Sequence, residues 1–246
     1  MQPVLEWQAG TLTAIRPETK QTKSFTLTLP KWMVHRPGQH YDVRLTAPDG
    51  YRTERSYSIA SPPERVGELE LTVERIAEGE VSPYLHDVLV PGDQLEVRGP
   101  IGGYFVWDVA LGGPLLLIGG GSGVVPLMAM LRHRAAQHAT LPARLLYSSR
   151  SVDDVIYRDE LDGLARSDRA FEVFYTFTRQ PPVGWTGYRR RVDAAMLGEV
   201  IKPFDKRARV YICGPTLLVE GVANALVQMQ LPIEHIRTER FGPTGA

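Results

Sequence analysis

From about residue 9 to 108, polar and apolar positions alternate with a period of two. Thr22–Leu29 (TKSFTLTL), Gln39–Thr46 and Glu68–Glu74 each put apolar side chains on one face, and turn signals at Pro37-Gly38, Asp49-Gly50 and Pro91-Gly92-Asp93 separate them. Roughly six short strands at this spacing predict a small closed antiparallel β-barrel, which leaves no exposed edge. Within it, the stretch Val81–Val90 predicts one short helix, capped by Ser82 with Pro83 at its first position. After Leu111-Gly112-Gly113-Pro114 the pattern changes. Strand-like runs at Leu115–Ile118, Arg144–Tyr147, Glu172–Thr178, Val210–Cys213 and Ile236–Phe241 alternate with helix-like stretches near 125–138, 153–166, 193–201 and 216–230. That alternation predicts an α/β domain with about five parallel strands covered by helices on both faces.

The expected division is therefore 1–110 for the barrel and 111–246 for the α/β domain, joined by a short linker. In parallel sheets ligands bind beyond the carboxyl ends of the strands. Attention thus falls on Gly119–Gly123, Ser148–Arg150, Thr178-Arg179 and Gly214-Pro215.

Composition narrows the chemistry by exclusion. Lys+Arg 28 balances Asp+Glu 28, so no global field draws the chain to nucleic acid or an anionic membrane. No run approaches a membrane span, and the opening MQPVLEWQAG has neither a basic leader nor an apolar core, so a cytoplasmic location is expected. Cys213 is the single cysteine, which excludes internal disulfides and an iron–sulfur cluster held by four cysteines of this chain. The six histidines follow no metal-site spacing; His133 and His138 are expected to be solvated, and no metal is expected.

The stretch Leu115–Pro126, LLLIGGGSGVVP, carries the strongest chemical signal. A buried strand, a glycine turn and a helix opening near Pro126 present free backbone N–H groups and the positive end of a helix to a phosphate. It is neither G-x-G-x-x-G nor a P-loop, since no Gly-Lys-Ser/Thr follows. In the barrel, Arg55-Ser56-Tyr57-Ser58-Ile59-Ala60-Ser61 offers a cation for phosphate, a ring for a flat ligand and hydroxyl donors. Gly79-Glu80-Val81-Ser82 at the short helix is a second candidate phosphate site. Two phosphate sites on two domains suggest two nucleotides.

Four motifs in this order resemble the ferredoxin–NADP reductase superfamily across nearly the whole chain. Arg-x-Tyr-Ser-x-x-Ser is met by Arg55, Tyr57, Ser58 and Ser61, and Gly-x-x-Ser with a following leucine by Gly79, Ser82 and Leu85. Gly-x-Gly-Thr/Ser-Gly-x-x-Pro is met by Gly119, Gly121, Ser122, Gly123 and Pro126, and Cys-Gly-Pro by Cys213, Gly214 and Pro215. The resemblance implies that Arg55 pairs with a flavin phosphate, helped by Ser82, that Tyr57 packs on the isoalloxazine, and that Ser58 bonds near its reactive nitrogen. It implies that Gly119–Gly123 hold a dinucleotide pyrophosphate and that Cys213 lies beside the nicotinamide; the plainer reading of Cys213 is a small buried hydrophobe. Glu239 would handle protons and Phe241 would cover the flavin ring, or pack as ordinary core. Unlike many relatives, which end near that aromatic, this chain continues through Gly242-Pro243-Thr244-Gly245-Ala246.

FAD is the flavin implied, with FMN the less favoured alternative. Thr178-Arg179 matches in position the pair that reads a 2′-phosphate in NADPH-using relatives, with Arg150, after the preceding strand, and Arg158 as candidates to add to it, so NADPH leads NADH. The expected activity passes a hydride from NAD(P)H to flavin, then single electrons to a separate ferredoxin, oxygenase component or haem protein. Arg189, Arg190 and Arg191 form either a solvated face or part of a docking patch for an acidic carrier. A reductase of free flavin, quinone or another small acceptor is the alternative enzyme. A nucleotide-binding subunit without turnover is the alternative of another class.

Overall fold

The structure, a computed structural model, describes residues 5–241. Contacts divide it into two units. One holds the chain up to Asp108 together with Met128–Gln137; the other holds Val109–Leu127 and the described chain from His138 onward.

The first unit is a six-stranded antiparallel sheet: β1 (Gln8–Pro17), β2 (Thr22–Thr28), β3 (His40–Thr46), β4 (Arg52–Ser58), β5 (Glu68–Glu74) and β6 (Gln94–Ile101), in the order β4-β3-β6-β1-β2-β5. An antiparallel bridge from Ile59 to Leu71 joins the end of β4 to β5 and closes the barrel. Its core comes from alternate strand positions, among them Leu12, Phe25, Leu27, Tyr41, Val43, Leu69, Leu71, Val73, Leu95 and Val97. Helix α1 (Val81–Asp87) packs Val81 and Leu85 into that core. It begins earlier than expected. Ser82 is the second helical residue rather than the cap, and its Oγ accepts the Ile76 N–H at 3.0 Å. Pro83 consequently sits third; the first-turn N–H groups have no intrahelical partner, so proline is tolerated there.

The second unit is a five-stranded parallel sheet of order β11-β10-β7-β8-β9. Its strands are β7 (Leu115–Gly120), β8 (Ala143–Ser151), β9 (Phe171–Gln180), β10 (Arg209–Pro215) and β11 (Ile236–Phe241). The connecting helices are α2 (Val124–Ala136), α3 (Arg158–Ser167), α4 (Ala194–Ile201) and α5 (Thr216–Gln228). Every residue of β7 is buried, as its unbroken apolar run demands of a central parallel strand. One side of the sheet packs Leu116, Ile118, Val210 and Ile212 against Met196, Val200, Val219 and Leu226 of α4 and α5. Asp193 caps α4 by accepting the Met196 N–H at 2.8 Å. Pro126 is the third residue of α2, not the first, and again falls within the free first turn. Asp153 and Asp154 lie in a separate 3-10 turn, Val152–Asp154, and α3 starts only at Arg158.

The second half of α2 overturns one expectation. His133 is buried, its Nδ1 2.7 Å from Glu64 Oε1 and its ring edge-on to Trp107. Beside it Arg132 donates to Glu70 at 2.6 Å and to the Ala60 carbonyl at 2.9 Å. The Arg132 contact covers Glu70, on the polar face of β5, which alternation alone would leave to solvent; Thr72 on the same face is buried too, its hydroxyl 2.7 Å from Ser24 Oγ. His138, in contrast, is exposed and ends the helical stretch with φ 48. Among the described residues, no helix is long and apolar enough to cross a membrane, and no His/Cys/Asp/Glu group could hold a metal.

Candidate functional site

In the barrel unit, strand alternation sorts the candidate side chains of β4 onto two faces. Arg55 and Tyr57 register with Val43 and Tyr41 of β3, whereas Ser56 and Ser58 register with Asp42 and His40. Ser56 is committed to the barrel: it donates to Asp42 at 2.7 Å, and Asp42 also receives Arg98 at 2.8 Å. Arg55 is exposed, and its guanidinium reaches only Thr53 Oγ1 at 3.5 Å and the Glu54 carbonyl at 2.7 Å. Among the described residues no carboxylate pairs with it. Tyr57 packs half-buried against the barrel core, and burial pushes its hydroxyl up to about 12, so the phenol stays neutral. Ser58 is buried with no side-chain hydrogen bond to a described residue. Ser61, the last residue of the motif, serves the fold instead by accepting the Glu70 N–H at 3.0 Å.

At the second barrel motif, Val81 is buried and starts α1. Gly79 donates its N–H to Ile76 at 3.0 Å, and a Cβ there would meet Ser82 Oγ at 3.1 Å. Ser82 thereby shapes the turn; its own hydroxyl proton is not consumed by the Ile76 N–H it accepts.

In the α/β unit, the glycine loop and the Cys-Gly-Pro segment are one construction. Parallel pairing of β7 with β10 aligns Gly119 with Cys213. A Cβ on Gly123 would lie 2.2 Å from the Cys213 carbonyl oxygen and 2.6 Å from Gly214 Cα. Gly214 in turn approaches the Gly120 backbone, so these two segments touch main chain to main chain. Gly121 differs: it adopts φ +55, and a Cβ there would meet nothing within 4 Å. The glycine run therefore serves two needs, close packing at Gly123 and open, left-handed backbone at Gly121.

Cys213 is fully buried and donates its thiol to Glu239 Oε2 across 3.7 Å, the two residues being register partners on β10 and β11. Burial, with the Glu239 carboxylate next in weight, pushes the thiol well up, which keeps it neutral. Burial also raises Glu239 from 4.5 to about 7, against the opposing pull of the Cys213 hydrogen bond. Such a group exchanges protons near neutrality. Phe241 ends β11 half-buried, opposite Pro215, and the tail 242–246 lies outside the described residues.

Arg150 and Arg179 are exposed near the carboxyl ends of the adjacent strands β8 and β9, and neither has an ion pair among the described residues. Thr178 donates its hydroxyl to the Ser149 carbonyl at 3.3 Å, which ties the two strand ends together. Asp154 is engaged by Ser151 Oγ at 2.6 Å. Arg158 lies on α3, 4.0 Å from Asp162. In the arginine run, Arg190 pairs with Asp193, Arg189 donates to the Trp185 carbonyl, and Arg191 is exposed.

One group escaped the sequence reading. The Tyr147 hydroxyl donates to the Gly121 carbonyl at 3.0 Å and accepts the Ile156 N–H at 3.2 Å. A tyrosine late in an apolar strand was its only trace in the sequence.

Comparison with known proteins agrees with this geometry. Residues 9–106 match the family described as oxidoreductase FAD-binding domain, and residues 117–224 the oxidoreductase NAD-binding domain. The chain is 34% identical over 238 residues to ferredoxin–NADP reductase B of Sorangium cellulosum, covering 94% of this chain and 96% of that protein. It is 32% identical over 228 residues to the glycine betaine monooxygenase reductase subunit of Chromohalobacter salexigens, covering 92% of this chain but 61% of the relative's length. Among solved structures, an Amycolatopsis cytochrome P450 reductase superposes with a TM-score of 0.84 at 25% identity, over 98% of this chain and 71% of that one. A barrel carrying the Arg55–Ser61 motif, a parallel sheet carrying the glycine loop against Cys213-Gly214-Pro215, the two family matches and the similarity to a ferredoxin–NADP reductase over nearly its whole length together make the chain a member of the ferredoxin–NADP reductase superfamily.

Proposed function

We propose that this chain is an NAD(P)H-dependent flavoprotein reductase, with the barrel unit taking FAD and the α/β unit taking the pyridine nucleotide. Hydride passes from NADPH, or NADH, to the flavin, and single electrons go on to a separate ferredoxin, oxygenase component or haem protein. The observation that carries this reading is the packing of Gly119–Gly123 onto Cys213-Gly214, which leaves Gly121 as the open backbone of the loop. Support from similarity comes from relatives named as reductase components and as a ferredoxin–NADP reductase.

The residues present fit FAD. Arg55 offers an exposed guanidinium with no competing carboxylate among the described residues, and phosphate is a ligand that such a fork takes bidentately. Tyr57 supplies a neutral ring, Ser58 a hydroxyl with no side-chain hydrogen bond among the described residues, and Gly79, Val81 and Ser82 a second set of polar groups at α1. FAD, when bound, supplies an acceptor for two electrons that gives them up singly. The chain's own contribution is alignment, exclusion of water and proton handling. Gly121–Gly123 and the opening of α2 receive the pyrophosphate with backbone N–H groups. Cys213 contributes a neutral sulfur, and Glu239 holds or releases a proton near pH 7. Phe241 is assigned to cover the flavin ring.

NADPH is the proposed donor in preference to NADH, because Arg150 and Arg179 are exposed cations without ion pairs among the described residues. Arg179→Ala is expected to reduce NADPH affinity roughly tenfold and to leave NADH nearly unchanged; equal losses with both would remove Arg179 from this role.

The decisive experiment is an anaerobic visible spectrum of the purified protein before and after one equivalent of NADPH. Prompt bleaching of a flavin band is expected. A protein that takes up no flavin, or whose flavin stays oxidised with both nucleotides, would overturn the reading.

A further inference from the structure

Tyr147 lies in β8, fully buried, in register with Gly119 of β7 and Tyr175 of β9. Its ring is held by neighbours, including Tyr175 at a centroid distance of 6.3 Å. Its hydroxyl does something different from its ring. It donates to the carbonyl of Gly121, the one residue of the glycine loop that combines a positive φ with open space around its Cα. The same oxygen accepts the N–H of Ile156, in the connector between β8 and α3. That connector then turns through Tyr157, a buried residue held at φ 60, a conformation that tyrosine adopts only under constraint.

One hydroxyl therefore bridges two loops that leave neighbouring strands at their carboxyl ends. The Gly121 carbonyl, which also accepts the Val124 N–H of its own turn, is held by the hydroxyl from a neighbouring strand, and this fixes the orientation of the peptide that joins Gly121 to Ser122. Because a peptide is planar, the N–H on its other side is aimed opposite to that carbonyl. Fixing Ile156 sets the connector that follows Arg150. We infer that Tyr147 is a positioning residue for the pyridine dinucleotide: its hydroxyl presets the pyrophosphate loop and couples it to the connector after β8. This rests on the reading of the α/β unit as the dinucleotide site.

The test is Tyr147→Phe, which removes the hydroxyl and keeps the ring. The expected result is a rise of roughly tenfold in KM for NADPH and in Kd for NADP+ with kcat within about twofold of wild type. Flavin content should be unchanged. A general loss of packing would instead lower kcat and flavin content together, and that pattern overturns the inference. Unchanged KM and Kd overturn it as well, while leaving the proposed function intact. A wild-type protein that binds neither NADP+ nor NAD+ overturns both. Should the variant not fold, the wild-type holoprotein gives an independent reading by hydrogen exchange. Saturating NADP+ should slow exchange at Gly121–Gly123 and at Ile156 together; slowing at the glycine loop alone refutes the coupling.

Discussion

The two candidate nucleotide sites are built from different materials. On β4 the chemistry belongs to side chains: Arg55 projects from a strand whose backbone is held in register by pairing with β3. In the α/β unit it belongs to the main chain, because the loop at Gly121–Gly123 has no side chain to offer except that of Ser122. The difference governs how each site tolerates change. A strand position can lose its side chain and keep its hydrogen bonds, so the β4 site should lose ligand without losing fold. At Gly123 the loop cannot gain a side chain without moving backbone, so there fold and ligand should fail together.

Gly123→Ala tests this contrast most severely. The new Cβ would lie 2.2 Å from the Cys213 carbonyl oxygen, and a backbone overlap of that size should cost about 3 kcal/mol or more. Thermal unfolding and dinucleotide uptake should both deteriorate; a variant as stable as wild type would break the comparison. Glu239→Gln probes the side chain that touches this backbone construction. Glu239 is raised from 4.5 to about 7, so the folded state holds its proton more tightly than the unfolded chain does. Its contribution to stability is therefore fully present below the lower value and is lost as pH rises through the upper one, by about 1–3 kcal/mol. The Gln variant should flatten that slope when urea midpoints are compared at about pH 5 and about pH 8.

Arg55→Ala is the counterpart on the side-chain site. It should weaken FAD retention by about ten- to a hundredfold, with the unfolding midpoint of the flavin-free protein unchanged. Equal flavin content in mutant and wild type would remove Arg55 from the phosphate role. The mildest probe is Gly121→Ala, which creates no clash but forces alanine to φ +55. The strain alone should cost about 1 kcal/mol, read as a small shift in the denaturation midpoint. A loss as large as that of Gly123→Ala would mean that the two glycines do not divide their roles as the contacts indicate.

Much of this molecule was legible in the chain itself. The apolar run Leu115–Ile118 and the alternating β2, β3 and β5 are local patterns, and a strand's burial follows directly from them. Motif order identified the residues of the candidate sites because each motif is contiguous. Tertiary structure decided what contiguity cannot carry. Glu70 reads as a solvent-facing residue until Arg132, 62 positions later, covers it, and His133 reads as solvated until Glu64 and Trp107 enclose it. That Gly123 yields to the Cys213 backbone, that Cys213 meets Glu239, and that the Tyr147 hydroxyl holds Gly121 all depend on strand order and register. Local pattern fixes which face of an element is apolar; which distant backbone or charge arrives against that face is settled only when the elements pack.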